Sequence, residues 1–329
     1  MVRLIACLQV LIGCAATIVL GVIVLPPDAA AQSVSDLTNV TLRVGDQTGA
    51  TQSKLKVAGL LDDLPYKIEW SVYPAAVNLH EALKADAIDT GLAGDAPTVS
   101  AIAGGSPIQI VAAWSNGGKG VDLIVPQNSP AKSVADLRGK IVSPTTRGSI
   151  GQYLVIGALR QAGLTPVDVT IAFLNPTDAS AAFAAGSIDA WGIWGVYRAR
   201  SLGALKARVL ASGEGIITGL FVLPATRAAL NDPGKVAAIA DFANRVERGY
   251  RWSRANKDAQ IAWYTGFAKQ DKDTAEFLYD EEASYSRVPT DDALVAQLQS
   301  VFATWVEAGV LKGNLDFNQH VYRNLKVGM

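Results

Sequence analysis

Four short stretches of this sequence combine small residues and hydroxyls in a pattern that suits anion binding. They are Gly45-Asp46-Gln47-Thr48-Gly49-Ala50-Thr51, Gly94-Asp95-Ala96-Pro97-Thr98, Pro144-Thr145-Thr146-Arg147-Gly148-Ser149 and Trp194-Gly195-Val196-Tyr197. Three of them run directly into predicted helices. A helix start exposes unpaired backbone N–H groups, and the helix dipole adds partial positive charge. That makes a site for a sulfonate, carboxylate or phosphate, and Arg147 adds a planar cation suited to the same groups. The candidate binding residues are therefore Gln47, Thr48, Gly49, Gly94, Asp95, Ala96, Thr146, Arg147, Gly148, Ser149, Trp194, Gly195 and Tyr197, with Trp114 and Thr218 at strand ends. The alternative is that these Thr, Ser and Asp residues only cap their helices. Convergence of the four loops on one cleft favours binding. Trp194 is expected on the cleft wall and Trp191 in the core or at the rim.

Other chemistries lack their residues. The only cysteines are Cys7 and Cys14, and the only histidines are His80 and His320. A disulfide framework, a cysteine-based metal site and a cysteine nucleophile are excluded from the body of the chain, and multi-histidine sites nearly so. No cofactor is expected. Gly117-Gly118-Lys119-Gly120 is too short for a Walker loop and has no hydroxyl; it reads as a mobile loop. His80 reads as a surface or hydrogen-bonded residue, and Arg245, Glu247, Arg248, Arg251 and Arg254 as a solvated helix face. With 29 Lys and Arg against 30 Asp and Glu there is no basic excess, so nucleic acid is not an expected partner.

The elements that must position these loops follow from length and periodicity. At about 100–200 residues per domain, 329 residues suggest two compact units. The segment 82–95 lines up with 182–195, and both carry an Ile-Asp pair, Ile88-Asp89 and Ile188-Asp189. Strands are expected at 41–44, 67–72, 90–93, 108–114, 122–125, 140–143, 169–173, 190–193 and 219–223. Helices are expected at 51–61, 76–84, 98–104, 149–161 and 178–185. From Ala225 onward the chain reads as helical, with Thr290 capping a last helix that Gly309 ends. Leu294, Leu298, Val301, Phe302, Trp305 and Val306 share its apolar face. Alternating strands and helices mean an α/β fold with mostly parallel sheets. The runs 122–125 and 219–223 bracket the second repeat and read as two strands crossing between lobes. Residues 40–123 plus 220–329 then form lobe 1 and residues 124–219 lobe 2. Ligands in open α/β sheets sit beyond the carboxyl ends of the strands, so the four loops should face an interlobe cleft.

Residues 1–31 read as an export signal: Arg3, an apolar run from Leu4 to Leu25, a break at Pro26-Pro27, and Ala29-Ala30-Ala31 before Gln32. An uncleaved anchor and lipidation at Cys14, within Leu11-Ile12-Gly13-Cys14, remain alternatives.

Several stretches resemble one family. They are Gly94-Asp95-Ala96-Pro97, Asn128-Ser129-Pro130 with Val134-Ala135-Asp136-Leu137-Arg138-Gly139-Lys140, Arg147-Gly148-Ser149, and Gly186-Ser187-Ile188-Asp189-Ala190-Trp191-Gly192-Ile193-Trp194. The chain resembles the substrate-binding proteins of bacterial ABC importers, in the aliphatic-sulfonate, taurine and nitrate group. It is most like the alkanesulfonate-binding members, which share Gln47, the Lys/Arg-Gly-Ser loop and the Trp-x-Ile-Trp run. The resemblance implies a type II periplasmic-binding-protein fold of two lobes joined by two crossover strands. It implies a monomeric periplasmic receptor that closes on an organosulfonate and delivers it to an ABC-importer permease for sulfur uptake, without catalysis. Gln47, Thr48, Gly49, Asp95, Arg147, Gly148 and Ser149 would hold the anionic head. Where the sulfonate binders typically have Trp-Asp-Pro-Tyr this chain has Trp194-Gly195-Val196-Tyr197. Loss of that carboxylate points to a bulkier ligand without an ammonium group. Enzymes of the same architecture, a desulfinase and a pyrimidine synthase, need cysteine or a Cys/His-rich motif that the body of this chain lacks. Nitrate, a sulfate ester, a carboxylate or a pyrimidine precursor are the other ligands to test.

Overall fold

The strand–helix alternation folds as two β-sheets covered by helices. A computed structural model describes residues 37–269 and 271–325; residues 1–31, expected to be an export signal, lie with Cys7 and Cys14 outside the described residues. In chain order the elements of the first repeat are β1 (Thr41–Gln47), α1 (Ala50–Val57), β2 (Lys67–Tyr73), α2 (Ala76–Lys84), β3 (Thr90–Gly91), β4 (Ala93–Gly94), α3 (Asp95–Ala103) and β5 (Ile108–Ser115). The second repeat has β6 (Val121–Val125), β7 (Ile141–Ser143), α4 (Ile150–Gln161), β8 (Thr170–Ile171), α5 (Pro176–Ala184), β9 (Ala190–Trp194), α6 (Gly195–Gly203) and β10 (Arg208–Ser212). Then come β11 (Leu220–Thr226), α7 (Arg227–Leu230), α8 (Pro233–Ala255), α9 (Lys257–Ala268), α10 (Lys272–Ala283), β12 (Ser286–Val288) and α11 (Asp292–Glu307). Among the described residues no helix is long and apolar enough to cross a membrane.

The first sheet has the order β12-β5-β11-β3-β1-β2, with β4 on β11, and the second the order β10-β6-β9-β7-β8. The repeat has a physical basis. Asp89 accepts a hydrogen bond from the Arg43 backbone N–H at 2.9 Å while its own N–H donates to Arg43 O at 2.8 Å. Asp189 does the same to Ile141, at 2.8 Å in both directions. Each Ile-Asp turn thus clamps the strand beside which the next strand pairs. Buried Ile88 and Ile188 hold the turn onto its core.

The sheets are mixed rather than mostly parallel. Pairing is parallel for β1 with β2 and β3, and for β7 with β8 and β9. It is antiparallel around β5, β11 and β12, and around β6, β9 and β10. The cause is the route of the chain. It leaves the first sheet at Ser115 and re-enters it at Leu220, which is paired with Ser115. It enters the second sheet beside the point where it leaves, with Ser212 paired to Asp122. Outgoing and returning strands therefore lie side by side and run in opposite directions. The expected crossing runs 122–125 and 219–223 each lie within one sheet, apart from Gly219. The passages themselves are residues 116–120 and 213–219. They touch backbone to backbone: a Cβ on Gly118 would lie 2.7 Å from Gly213 O, and one on Gly219 would lie 2.0 Å from Gly118 N. The Gly117–Gly120 loop is thus the first crossing.

Two further expectations change with packing. Asp291, not Thr290, caps α11, because its carboxylate accepts from both Ala293 N–H at 3.0 Å and Leu294 N–H at 3.2 Å. The polar face of α8 is not wholly solvated. Arg245 is buried and donates to Leu60 O at 2.8 Å, Asp63 at 2.6 Å and Asp241 at 2.6 Å. Glu247 is buried and accepts the Trp114 indole N–H at 2.8 Å. Arg248, Arg251 and Arg254 stay exposed. His80 is buried on α2, with Nε2 3.1 Å from Thr98 Oγ1. Thr98 donates its hydroxyl proton to Gly94 O, so His80 Nε2 carries the hydrogen. Burial pushes its pKa down to about 3.

Candidate functional site

The N-terminal ends of α1, α3, α4 and α6 open on one cleft, two of them from each sheet. Its lining includes Gln47, Thr48, Ala50 and Thr51 at α1, Gly94 and Pro97 at α3, Ser149 and Ile150 at α4, and Trp194, Gly195, Val196 and Tyr197 at α6. The empty volume, open mouth included, is about 1280 Å³. Gln47 is held by its own amide, which donates to Leu92 O at 2.8 Å. Thr48 sits in the left-handed region at φ 58°, followed by Gly49 at 77°. The equivalent turn after β7 carries Thr145 at φ 67°. Strained β-branched residues of this kind persist where surrounding structure over-determines them, commonly at binding loops.

The four helix ends are not equally available to a ligand. At α1 the buried Asp46 carboxylate accepts from Thr51 N–H at 3.1 Å and Gln52 N–H at 2.8 Å. At α4 the Ser149 hydroxyl accepts from Gln152 N–H at 3.2 Å, and the Gln152 side chain accepts from Gly148 N–H at 2.6 Å. At α3, Asp95 accepts from Ala96 N–H at 2.7 Å. At α6 the residue in the capping position is Trp194, and no side chain caps the helix. Helix α6 therefore presents its dipole to the cleft with no capping hydroxyl or carboxylate among the described residues.

Asp95 is buried and also accepts from the Thr218 hydroxyl, which ties α3 to the second crossing. Burial pushes its carboxyl up from the usual 3.8 to about 6. A raised folded pKa means the folded state binds the proton more tightly than the unfolded chain. The resulting stabilisation is full below pH 3.8 and is lost as pH rises through 6. Asp95→Asn has no such proton. Urea unfolding should show the stability of the native chain relative to this variant falling by about 2 kcal/mol between pH 4 and pH 7. A pH-independent difference would sink the assignment.

Other expected residues lie elsewhere. Trp114 is fully buried and faces α8, where its indole bonds Glu247. Ala96 is fully buried, and its carbonyl accepts from Trp305 at 3.2 Å. Arg147 is exposed, and its guanidinium lies 4.3 Å from the centre of the Phe173 ring. With Gly148 it lines a neighbouring pocket beside His80 and Lys84. Gly148, at φ 76°, turns the chain between Arg147 and Ser149, so the loop meets the cleft through Ser149 and Ile150 instead. Thr146 Oγ1 is buried with no hydrogen-bond partner among the described residues. Trp191 is fully buried and donates to Thr145 at 3.2 Å, whereas Trp194 lines the cleft.

Sequence reasoning missed two groups of lining residues. Lys54 and Lys119 add positive charge, with Lys54 Nζ 4.2 Å from the Tyr250 ring centre. Tyr250, Trp263, Tyr264, Phe267 and Tyr285 supply an aromatic wall from the C-terminal part of the chain. The available signal was the concentration of aromatics at Tyr250, Trp252, Trp263, Tyr264 and Phe267.

With this geometry in view, the chain is similar to several known proteins. It is 39% identical over 188 residues to a protein of Escherichia coli (strain K12) named for binding aliphatic sulfonates; the match spans 56% of this chain and 59% of that protein's length. The crystal structure of the periplasmic aliphatic sulphonate binding protein SsuA from Escherichia coli superposes with a TM-score of 0.73 at 28% identity, covering 86% of this chain and 92% of that one. The alkanesulfonate-binding protein SsuA from Xanthomonas axonopodis pv. citri, bound to MOPS, gives a TM-score of 0.77 at 27% identity, covering 86% and 98%. Residues 68–259, more than half of the chain, match the family model described as NMT1/THI5 like, and the chain belongs to that family.

Proposed function

We propose that the chain is an exported solute receptor that binds a small organosulfonate between its two sheets and delivers it to the membrane permease of an ABC importer. One observation carries this reading. Four helix N-termini from two sheets converge on a cleft lined by Lys54 and Lys119 and by no carboxylate side chain among the described residues. Backbone N–H groups and lysines favour an anion, and an ammonium-bearing ligand such as taurine finds no carboxylate partner among the described lining residues. The anionic head sits at the α6 end beside Gln47, Thr48, Gly49, Gly94 and Ser149. The lobes, 40–123 with 220–329 against 124–219, then close by a population shift driven by contacts to both at once. The sulfonate-binding relatives support the same ligand class. On this reading the ligand is released unchanged to the permease.

A thermal-shift screen of the chain from Gln32 onward tests it. The panel contains alkyl and aryl sulfonates, taurine, sulfate esters, sulfate, nitrate and a neutral aminopyrimidine. A ligand at a hundred times its Kd should add about 2.7 kcal/mol of stability. The expected result is a shift with organosulfonates and none with the pyrimidine. A response confined to nitrate, sulfate or the pyrimidine would overturn the reading.

A further inference from the structure

We propose that the organic group of the ligand is aromatic, so that the cleft takes an aryl sulfonate rather than the aliphatic sulfonates for which the relatives are named. This rests on the receptor reading above and adds the chemistry of the tail.

The argument starts from the wall that the C-terminal helices supply. Trp263 and Phe267 are stacked, with planes 8° apart and centres 5.3 Å apart. Tyr250 and Tyr285 are also stacked, at 28° and 4.7 Å. All four line the cleft. The wall is held in place before any ligand arrives: the Trp263 indole donates to Ser53 Oγ on α1 at 2.9 Å, and Lys54 sits over the Tyr250 ring. Aliphatic side chains such as Ile217 and Leu220 line the cleft as well, so burial of apolar area alone does not choose between tails. Preassembled stacks do choose, because an aromatic ligand ring can join them in an offset or edge-to-face arrangement, with a gain beyond its area.

Position relative to the head matters equally. Trp194 occupies the capping position of α6, and Tyr197 lies in its first turn. The uncapped N–H groups and two of the cleft's rings therefore belong to one turn of chain. In an aryl sulfonate the ring is bonded directly to sulfur, so a head held at α6 places the ring at once against aromatic side chains. A Cβ on Gly195 would meet no atom within 4 Å, which leaves room for a flat group in that corner.

Titration calorimetry with ligands matched in charge and size tests the proposal on the native sequence: benzenesulfonate, cyclohexanesulfonate and hexanesulfonate, with MOPS as a second non-aromatic ring. Hydrophobic area alone ranks cyclohexanesulfonate at or above benzenesulfonate. The proposal expects the opposite, with benzenesulfonate about tenfold tighter, which is 1.4 kcal/mol. In Phe267→Leu the benzene-to-cyclohexane preference should fall below about threefold, since one stacked pair is gone. Equal or tighter binding of the cyclohexane and hexane compounds would overturn the aromatic tail and leave the receptor reading standing. Failure of every sulfonate to bind would overturn the receptor reading itself, and the tail with it.

Discussion

Gly195→Asp should weaken binding of a simple sulfonate by roughly a hundredfold while leaving the fold intact. The position accepts the change structurally. Gly195 has φ 55°, a conformation that aspartate tolerates better than most residues, and an added Cβ meets nothing within 4 Å. The new carboxylate would stand at the N-terminus of α6, where Trp194 supplies no side-chain cap and the first turn carries no acid. It would stabilise that helix by about 0.3–1 kcal/mol and occupy the N–H groups offered to the ligand. It would also repel the sulfonate: two like charges about 5 Å apart at an effective dielectric constant near 20 cost about 3 kcal/mol, a factor of roughly a hundred. Taurine carries an ammonium that the same carboxylate can pair, so the variant should lose far less taurine affinity than benzenesulfonate affinity. Calorimetric titration of both ligands, with a melting curve as control, reads the effect. Unchanged benzenesulfonate affinity would place the anionic head away from α6.

Gly219→Ala should destabilise the chain by about 2–5 kcal/mol, among the largest effects open to a single methyl group. Gly219 has φ 67°, and its added Cβ would lie 2.0 Å from Gly118 N and 2.8 Å from Gly117 N and C. The obstacle is backbone, so no rotamer change relieves it, and the two crossings between the sheets would have to separate. The left-handed conformation alone costs about 1–2 kcal/mol for alanine, and overpacking adds about 1–3 kcal/mol. Gly309 provides the control, because its φ is 68° and nothing lies within 4 Å of an added Cβ. Gly309→Ala should cost only the conformational part. Urea unfolding of both variants separates strain from contact, and equal losses would show that the close approach of the crossings is energetically unimportant.

Legibility in the sequence followed the range of the interactions involved. The Ile-Asp repeat was readable because each turn and its strand are set by neighbours in the chain. The structure then shows Asp89 and Asp189 making the same clamp on Arg43 and Ile141. Helix α2 and the helix-starting loops before α1, α3 and α4 were readable for the same reason, since apolar spacing and helix-start residues act within a few positions; the loop at Trp194 was read as a binding loop, but not the helix α6 that it starts. Strand direction was not. Whether β5 and β11 run parallel depends on where the chain returns from the second sheet, and Ser115 opposite Leu220 records that return. Side-chain direction was also hidden. Trp114 ends one predicted strand and Trp194 directly follows another, yet one is sealed beneath α8 and the other lines the cleft. Arg147 lies in the expected loop but rests on Phe173, because Gly148 turns the chain beside it.

By itself the sequence determined the α/β alternation, the two related halves and the presence of anion-favouring helix starts, because all three rest on local periodicity and composition. Tertiary structure decided which helix start stays uncapped, how Asp95 comes to share a proton-sensitive contact with Thr218, and which aromatics complete the cleft. Those outcomes depend on contacts between residues more than a hundred positions apart, such as Asp95 with Thr218 and Ser53 with Trp263. Such contacts exist only once the two crossings have brought the sheets together, and no local pattern encodes them.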